Sequence, residues 1–522
     1  MSHPPSPAQS NAALVFKERA HSGHPLSISR EHFPVSAAAL AQVPAKWAVR
    51  FQIFPLQWHE GVLKIAIATR DASIMQDIEF YLQVTVVAVP AQESDIVELI
   101  REHYGLGAQI IDEMLEQKKE EGALVLGDIP SEAPSDISIG KFVEYILRQA
   151  CEERATDIHI EPYQDAVKVR YRIDGLLYDA KVPQDMKHFK EAVLSRIKIL
   201  AHLNIAQRRL PQDGRFKFKM AGRELDCRVS VLPTAFGEGV VIRLLNGLKP
   251  CQLKELGLAP TEEEILQSLL LQEHGIVFVT GPTGSGKTTT LYSCLTQLNR
   301  EDRKIITIED PIEYQLPGIM QIQVHPAIGL SFANGLRSML RHDPDIMMVG
   351  EVRDVETART AIQIALTGHL VFSTLHTNDA ASAVTRLLDM GIEPYLIASS
   401  VECFIAQRLV RVLCPYCRRE SRLAPELRRQ FSNAVPDSVI FEPHGCESCR
   451  FTGYQGREAI YEMLVITEAI RARILSCASC DEIRQCAVSQ GMKTLRQSGW
   501  EKIKDGTTTC AEVLRVTQEE NE

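Results

Sequence analysis

The sequence predicts a multidomain α/β protein in which a phosphate-loop domain follows two α+β modules and carries a cysteine-rich insert. Three observations lead there. At 522 residues the chain exceeds a single core, and domain-size scaling suggests roughly three or four domains. The apolar run Ile276–Thr280 leads directly into Gly281-Pro-Thr-Gly-Ser-Gly-Lys-Thr288, a complete G-x-x-x-x-G-K-T, and Thr288-Thr-Thr-Leu-Tyr then opens a helix. Two C-x-x-C pairs, at 414–417 and 446–449, stand 28 residues apart.

Taken in order, residues 1–111 read as an N-terminal α+β domain whose first 45 or so positions carry little pattern. Its strands are expected at Ala48–Phe54, Val62–Ile67 and Val84–Val89, and its helices at Ser73–Leu82 and Ser94–Tyr104. Residues 112–136, charged and then rich in Gly, Pro and Ser, suit a linker. A second α+β module over 137–250 begins with an amphipathic helix, Gly140–Arg154, that puts Phe142, Val143, Ile146, Leu147 and Ala150 on one face. The alternating strand Val167–Ile173 ends in Asp174-Gly175, a hairpin signal. Asp157, His159 and Glu161 share a strand face; ligands at i, i+2 and i+4 splay along an extended chain, which favours an exposed sheet face over a metal site. The phosphate-loop domain is drawn over 251–407, the tetracysteine module over 408–460 and a helical segment over 461–522.

The chemistry concentrates around the loop. Gly281, Pro282, Thr283, Gly284, Ser285 and Gly286 would turn backbone N–H groups onto a β-phosphate, Lys287 would add a mobile charge, Thr288 would offer its hydroxyl to Mg²⁺, and Thr289 would close the cradle. Strand ends supply the acids and imidazoles: Glu309 and Glu313 after Lys304–Ile308, Glu351 after Ile346–Val349, and His369 and His376 at the two ends of Leu370–Leu375. Glu313 is the first choice to polarise an attacking water and Glu309 the second. Glu351 suits the Mg²⁺ water shell and His376 a γ-phosphate contact, with His369 a further catalytic candidate. Cys414, Cys417, Cys446 and Cys449 have the spacing of a closed structural Zn²⁺ site with no open position.

Composition narrows the partners. The formal charge, 57 − 67 = −10, disfavours nucleic acid. No run reaches the ~18 apolar residues of a membrane span, and the amino terminus lacks a signal-peptide layout, so a cytoplasmic location is expected. From 408 to 457 there are nine arginines against five acids, a basic stretch that suits a solvated face and could also meet an anionic lipid surface.

Gly281–Thr288, Ile308-Glu-Asp-Pro-Ile-Glu313, Asp343-Pro-Asp-Ile-Met-Met-Val-Gly-Glu-Val-Arg-Asp354 and Thr367-Gly-His-Leu-Val-Phe-Ser-Thr-Leu-His376 resemble, in order, the Walker A, Asp box, Walker B and His box of the type II secretion and type IV pilus ATPases. Ala155–Pro162, Tyr171–Gly175 and Leu210–Arg215 look like that family's second N-terminal, PAS-like domain. The resemblance covers roughly 135–520. It implies a RecA-like ATPase domain and a homo-hexamer in which Arg215 and Arg228 supply charge to the phosphates of ATP. It also implies an N-terminal domain docked to an inner-membrane secretion or pilus platform. The tetracysteine module favours secretion or pilus extension over retraction; a non-hydrolysing nucleotide regulator and a DNA-translocating motor are the readings from other classes.

Overall fold

The computed structural model describes residues 35–68, 72–105, 107–114, 136–220, 222–245, 251–424, 427, 429–431 and 439–517. They form two compact units, one ending at Leu244 and the other beginning at Leu245.

The first unit opens with a three-stranded sheet, β1 (Ile53–His59), β2 (Val62–Ile67) and β3 (Thr85–Pro90), in that order, with β1–β2 antiparallel and β2–β3 parallel. Helices Ala72–Leu82 and Glu93–Tyr104 fall where their periodicity puts them. The strand expected at Ala48–Phe54 does not form as drawn: Ala45–Phe51 is a helix, and Gln52 in the left-handed region turns the chain into β1. Ala45 and Ala48 share one helical face and are buried, and that i, i+3 contact outweighs the β-branched Val49.

Helix Asp136–Glu152 follows, burying Phe142, Val143, Ile146, Leu147 and Ala150. Each of the four larger side chains contributes about 1.5–3 kcal/mol by leaving water. They pack on a six-stranded sheet of β4 (Asp157–Pro162), β5 (Val167–Ile173), β6 (Leu176–Asp179), β7 (Gln212–Met220), β8 (Arg223–Thr234) and β9 (Gly237–Leu245), in the order β6-β5-β4-β9-β8-β7. Asp174 and Gly175, both at positive φ, close the β5–β6 hairpin, because a two-residue turn that matches strand twist needs the left-handed region at both positions. The Asp157–His159–Glu161 face carries ion pairs instead of a wet surface. Asp157 is buried against Arg243 (2.9 Å), and Glu161 pairs with Arg170 (2.5 Å).

The second unit is a seven-stranded sheet of β10 (Gly275–Thr280), β11 (Ile305–Glu309), β12 (Met320–Gln323), β13 (Ile346–Val349), β14 (Leu370–Leu375), β15 (Val401–Leu413) and, beyond a two-stranded ribbon of β16 (Arg419–Arg422) and β17 (Val439–Glu442), β18 (Tyr454–Val465). Its order is β12-β11-β13-β14-β10-β15-β18, parallel except at β15–β18. Along β10, Ile276 and Phe278 enter one core while Val277 and Val279 enter the other, so the sheet is covered on both faces and its strands read as unbroken apolar runs. The boundaries drawn at 407/408 and 460/461 cut through β15 and β18. Those strands belong to the sheet, and the insert proper lies between them. The C-terminal helices are part of the same body, since Ile470, Ile483, Leu495, Trp500 and Val513 join the core under β10. Among the described residues no helix is long and apolar enough to cross a membrane.

Candidate functional site

The loop at the carboxyl end of β10 depends on two glycines in particular. Gly281 has φ 145, and a Cβ there would stand 2.6 Å from the Gln407 carbonyl oxygen. Gly286, φ 89, caps helix Lys287–Leu298, and its Cβ would meet Gln407 Nε2 at 2.8 Å. Gln407, on β15, backs the loop from behind and accepts the Thr290 hydroxyl at 2.8 Å. Lys287 Nζ donates to the carbonyl oxygens of Gly281 (2.7 Å) and Pro282 (3.0 Å). Burial lowers Lys287 from its ordinary 10.5 to about 8; the Glu351 carboxylate opposes that fall and Arg408 adds to it. Ser285 Oγ is buried with no hydrogen-bond partner among the described residues, while Pro282, Thr283, Gly284 and Thr288 line an exposed rim, with Thr289 half-buried behind them. A desolvated ammonium, an unsatisfied hydroxyl and a helix N-terminus in one loop fit a phosphate chain.

Glu351 leaves the end of β13. Thr374 fixes this exit twice: its hydroxyl donates to the Gly350 carbonyl (2.7 Å) and its own carbonyl accepts the Val352 N–H (3.0 Å). The Glu351 carboxylate then pairs with Arg353 and lies 3.2 Å from His376 Nε2. Arg353 also reaches Asp310 (3.8 Å), which joins the acid-rich loop after β11 to the same cluster. Arg353 stands in the string ending at Asp354 with no role read from it, and no motif singles out Gln407. The signal for Arg353 was its i+2 spacing from Glu351.

The two histidines separate. β14 runs parallel to β10, so His376 at its carboxyl end stands with the loop, and its side chain is 48% exposed. His369 lies at the opposite end of β14, roughly 20 Å away by strand rise, hydrogen-bonded to Ile364 O and Thr367 Oγ1. Direction along a parallel strand excludes His369 from the site. Glu309 also changes standing. It is the last residue of β11, 3% exposed, and its carboxylate is engaged by Tyr292, Thr307 (2.6 Å) and Gln321 (3.1 Å). A carboxylate with three buried donors is an internal anchor, poorly placed to take a proton from water. Glu313 sits beyond it, half-buried, on the loop.

Arg215 and Arg228 lie in the first unit, directly opposite each other across the β7–β8 ladder. Arg337 pairs with Glu356, and Arg341 donates to the Arg337 carbonyl at 3.2 Å.

The four cysteines of the insert converge. Sγ–Sγ distances are 3.8 Å for Cys414–Cys446 and 3.7 Å for both Cys417–Cys449 and Cys446–Cys449, with all four sulfurs within 4.8 Å of one another. A tetrahedron with Zn–S of about 2.3 Å has edges of about 3.8 Å, so the set fits a zinc ion. Backbone N–H groups of Cys446 and Gly453, each 3.2 Å from Cys449 Sγ, suit a thiolate. The basic stretch around these cysteines is less exposed than its composition suggests. Arg408 is 7% exposed and donates to the Asn378 carbonyl at 2.7 Å behind the phosphate loop. Arg411 pairs with Glu512 (2.8 Å) and stacks on Tyr454, and Arg418 caps Gly506 O at 2.7 Å. Arg428 lies outside the described residues.

Residues 132–515 match the family described as type II/IV secretion system protein, and residues 22–110 match an MshEN domain. The type II secretion system protein E of Xanthomonas campestris pv. campestris is 45% identical over 481 residues, covering 90% of this chain and 84% of that one. The type IV pilus assembly ATPase PilB of Myxococcus xanthus is 41% identical over 505 residues, 94% and 88% of the two chains. Among solved structures, the ATPase DotB of Legionella pneumophila superposes with a TM-score of 0.53 at 23% identity, covering 76% of this chain and 98% of its own, a likeness of fold. With the phosphate loop, the Glu351–His376 pair and the four-cysteine cluster all inside the matched span, the chain belongs to the type II/IV secretion system protein family.

Proposed function

We propose that the chain is a Mg²⁺-dependent ATPase that works as a homo-hexamer at the cytoplasmic face of the inner membrane and drives pseudopilus assembly and protein export by a type II secretion system. The observation that carries this reading is the convergence of Lys287, Glu351, Arg353 and His376 on one phosphate loop. In the proposed cycle Lys287 leaves its two loop carbonyls for the β- and γ-oxygens, and the Ser285 hydroxyl gains a partner. The Thr288 hydroxyl and the Glu351 carboxylate would hold Mg²⁺, which would supply neutralisation of the charge that builds on the phosphates. Glu313 orients the attacking water, and His376, tied to Glu351, reports the γ-phosphate. Arg215 and Arg228, opposite each other across the β7–β8 ladder, are the proposed further sources of guanidinium charge for the phosphates. The zinc cluster has no open ligand position and serves as a structural staple. The MshEN domain is the proposed dock for the secretion platform, and DNA has no part in turnover.

The test is phosphate release by the purified full-length chain. Turnover that requires Mg²⁺ and falls by roughly two to three orders of magnitude in Lys287→Ala and in Glu351→Ala supports the reading. Unchanged turnover in both variants sinks it, and no turnover in the wild type, with nucleotide bound, favours a regulator. Type IV pilus assembly is the second reading, favoured by the 41% identity to the Myxococcus pilus ATPase over 94% of this chain. Identification of the membrane partner that co-purifies with the full chain separates the two.

A further inference from the structure

The loop that carries Glu313 has no regular structure between β11 and β12, so no sheet ladder sets its position. Its backbone is fastened in another way. The Glu313 N–H points to the Tyr292 hydroxyl at 3.4 Å. Gln321 Nε2 donates to the Tyr314 carbonyl at 3.1 Å, and Gln321 Oε1 accepts the Leu316 N–H at 2.7 Å. Both fasteners converge on Glu309, which accepts from the Tyr292 hydroxyl, from Gln321 (3.1 Å) and from Thr307 (2.6 Å). The Tyr292 ring meets that of Tyr314 edge-on at 4.7 Å. Tyr292 lies five residues beyond Lys287 on helix Lys287–Leu298, so one end of this network is the phosphate-loop helix itself.

We propose that Tyr292, Glu309 and Gln321 are positioning residues: a buried brace that sets Glu313 relative to the phosphate loop and so governs the chemical step without touching substrate. The proposal rests on the reading of Glu313 as the water-orienting carboxylate. Three features distinguish the brace from ordinary core packing. Its members come from a helix, a strand end and an edge strand that share no backbone ladder with the loop. It grips the loop at Glu313 itself and at positions 314 and 316 just beyond it. Burial and then the neighbouring Glu309 charge push the Tyr292 hydroxyl well above its ordinary range, which keeps it a donor to Glu309 and leaves its oxygen to receive the Glu313 N–H. Water positioning tolerates displacements of only a fraction of an ångström, so loss of one grip shows in turnover before it shows in binding.

The experiment is a double-mutant cycle on the full chain. Tyr292→Phe and Gln321→Leu are each expected to lower kcat roughly tenfold with KM for ATP and the affinity for a fluorescent ADP unchanged, and to lower it no further in a Glu313→Gln background. Because Tyr292→Phe strips a donor from a buried carboxylate, Tm is followed as well. Adding Glu309→Gln, which removes that charge, is expected to restore Tm but not kcat. The brace is overturned by wild-type kcat in both single variants, by an equal fold loss in the Glu313→Gln background, or by kcat recovering together with Tm. Wild-type kcat in Glu313→Gln alone would instead remove Glu313 from the site, and with it the route through which the brace is said to act.

Discussion

At 281–288 the polar groups of the phosphate loop are left short of partners. Ser285 Oγ is buried without a partner among the described residues, and Lys287 makes do with two carbonyl oxygens of its own loop while burial holds its charge down. At 414–449 the opposite holds, because the four sulfurs lie within 4.8 Å of one another, three of their separations match the edges of a metal tetrahedron, and backbone N–H groups point at one of them. Both sites are announced by short motifs of comparable specificity. The difference between them is satisfaction: a site that must bind and release a ligand stores unmet polar demand, whereas a site that must hold its shape closes on itself.

That contrast makes a paired prediction with large effects. Lys287→Ala should reduce ATP turnover by roughly three orders of magnitude while Tm stays within about 2 °C and zinc stays at one per chain. Cys414→Ser should do the reverse, with zinc lost by elemental analysis, Tm lower by roughly 5–10 °C, and nucleotide affinity of the folded fraction retained. A Cys414→Ser protein that keeps its fold but cannot bind nucleotide would break the distinction.

A smaller effect tests direction along one strand. His376→Ala is expected to lower kcat roughly tenfold to a hundredfold, and His369→Ala less than twofold, because only the carboxyl end of β14 meets the loop. Equal losses in both would mean that the sheet, and not the imidazole beside Glu351, carries the effect.

These contrasts also mark what was legible in the residues. Gly281–Thr288 and the cysteine pairs are local, so spacing alone carries their signal: the loop joins a strand to a helix, and the four sulfurs lie within 4.8 Å of one another. Glu309 and His369 were misplaced for a non-local reason. A strand-end acid or histidine is ambiguous until the sheet order and strand direction say which end faces the crevice and which side chains cover it. Arg408 and Gln407 belong to the loop only because β15 lies beside β10, a pairing between positions more than a hundred residues apart. The helix at Ala45–Phe51 was hidden by Val49, Phe51 and Ile53, whose β-forming character was overridden by the packing of two alanines. The arginines of 408–418 read as surface because their partners, Asn378, Glu512 and Gly506, arrive from other segments.

The smallest effect is one of pH, and it acts on the unmet demand itself. In the free protein Lys287 is an ammonium below about pH 8 and neutral above it, whereas in the unfolded chain it keeps its proton to about 10.5. Between those values the unfolded state binds more protons, so this group makes the nucleotide-free protein more stable as pH rises, measured against Lys287→Met. Nucleotide affinity must run the other way, because the phosphates bind the charged form: ADP affinity is full below about pH 8 and declines by up to tenfold per pH unit above it, with proton uptake on binding. Calorimetric titration of ADP in two buffers of different ionisation enthalpy reads that uptake directly. Affinity that is flat from pH 7 to 9.5, with no proton linkage, would mean that the loop holds its lysine charged before nucleotide arrives, and that the shortage of partners at 281–288 is satisfied by something other than the phosphates.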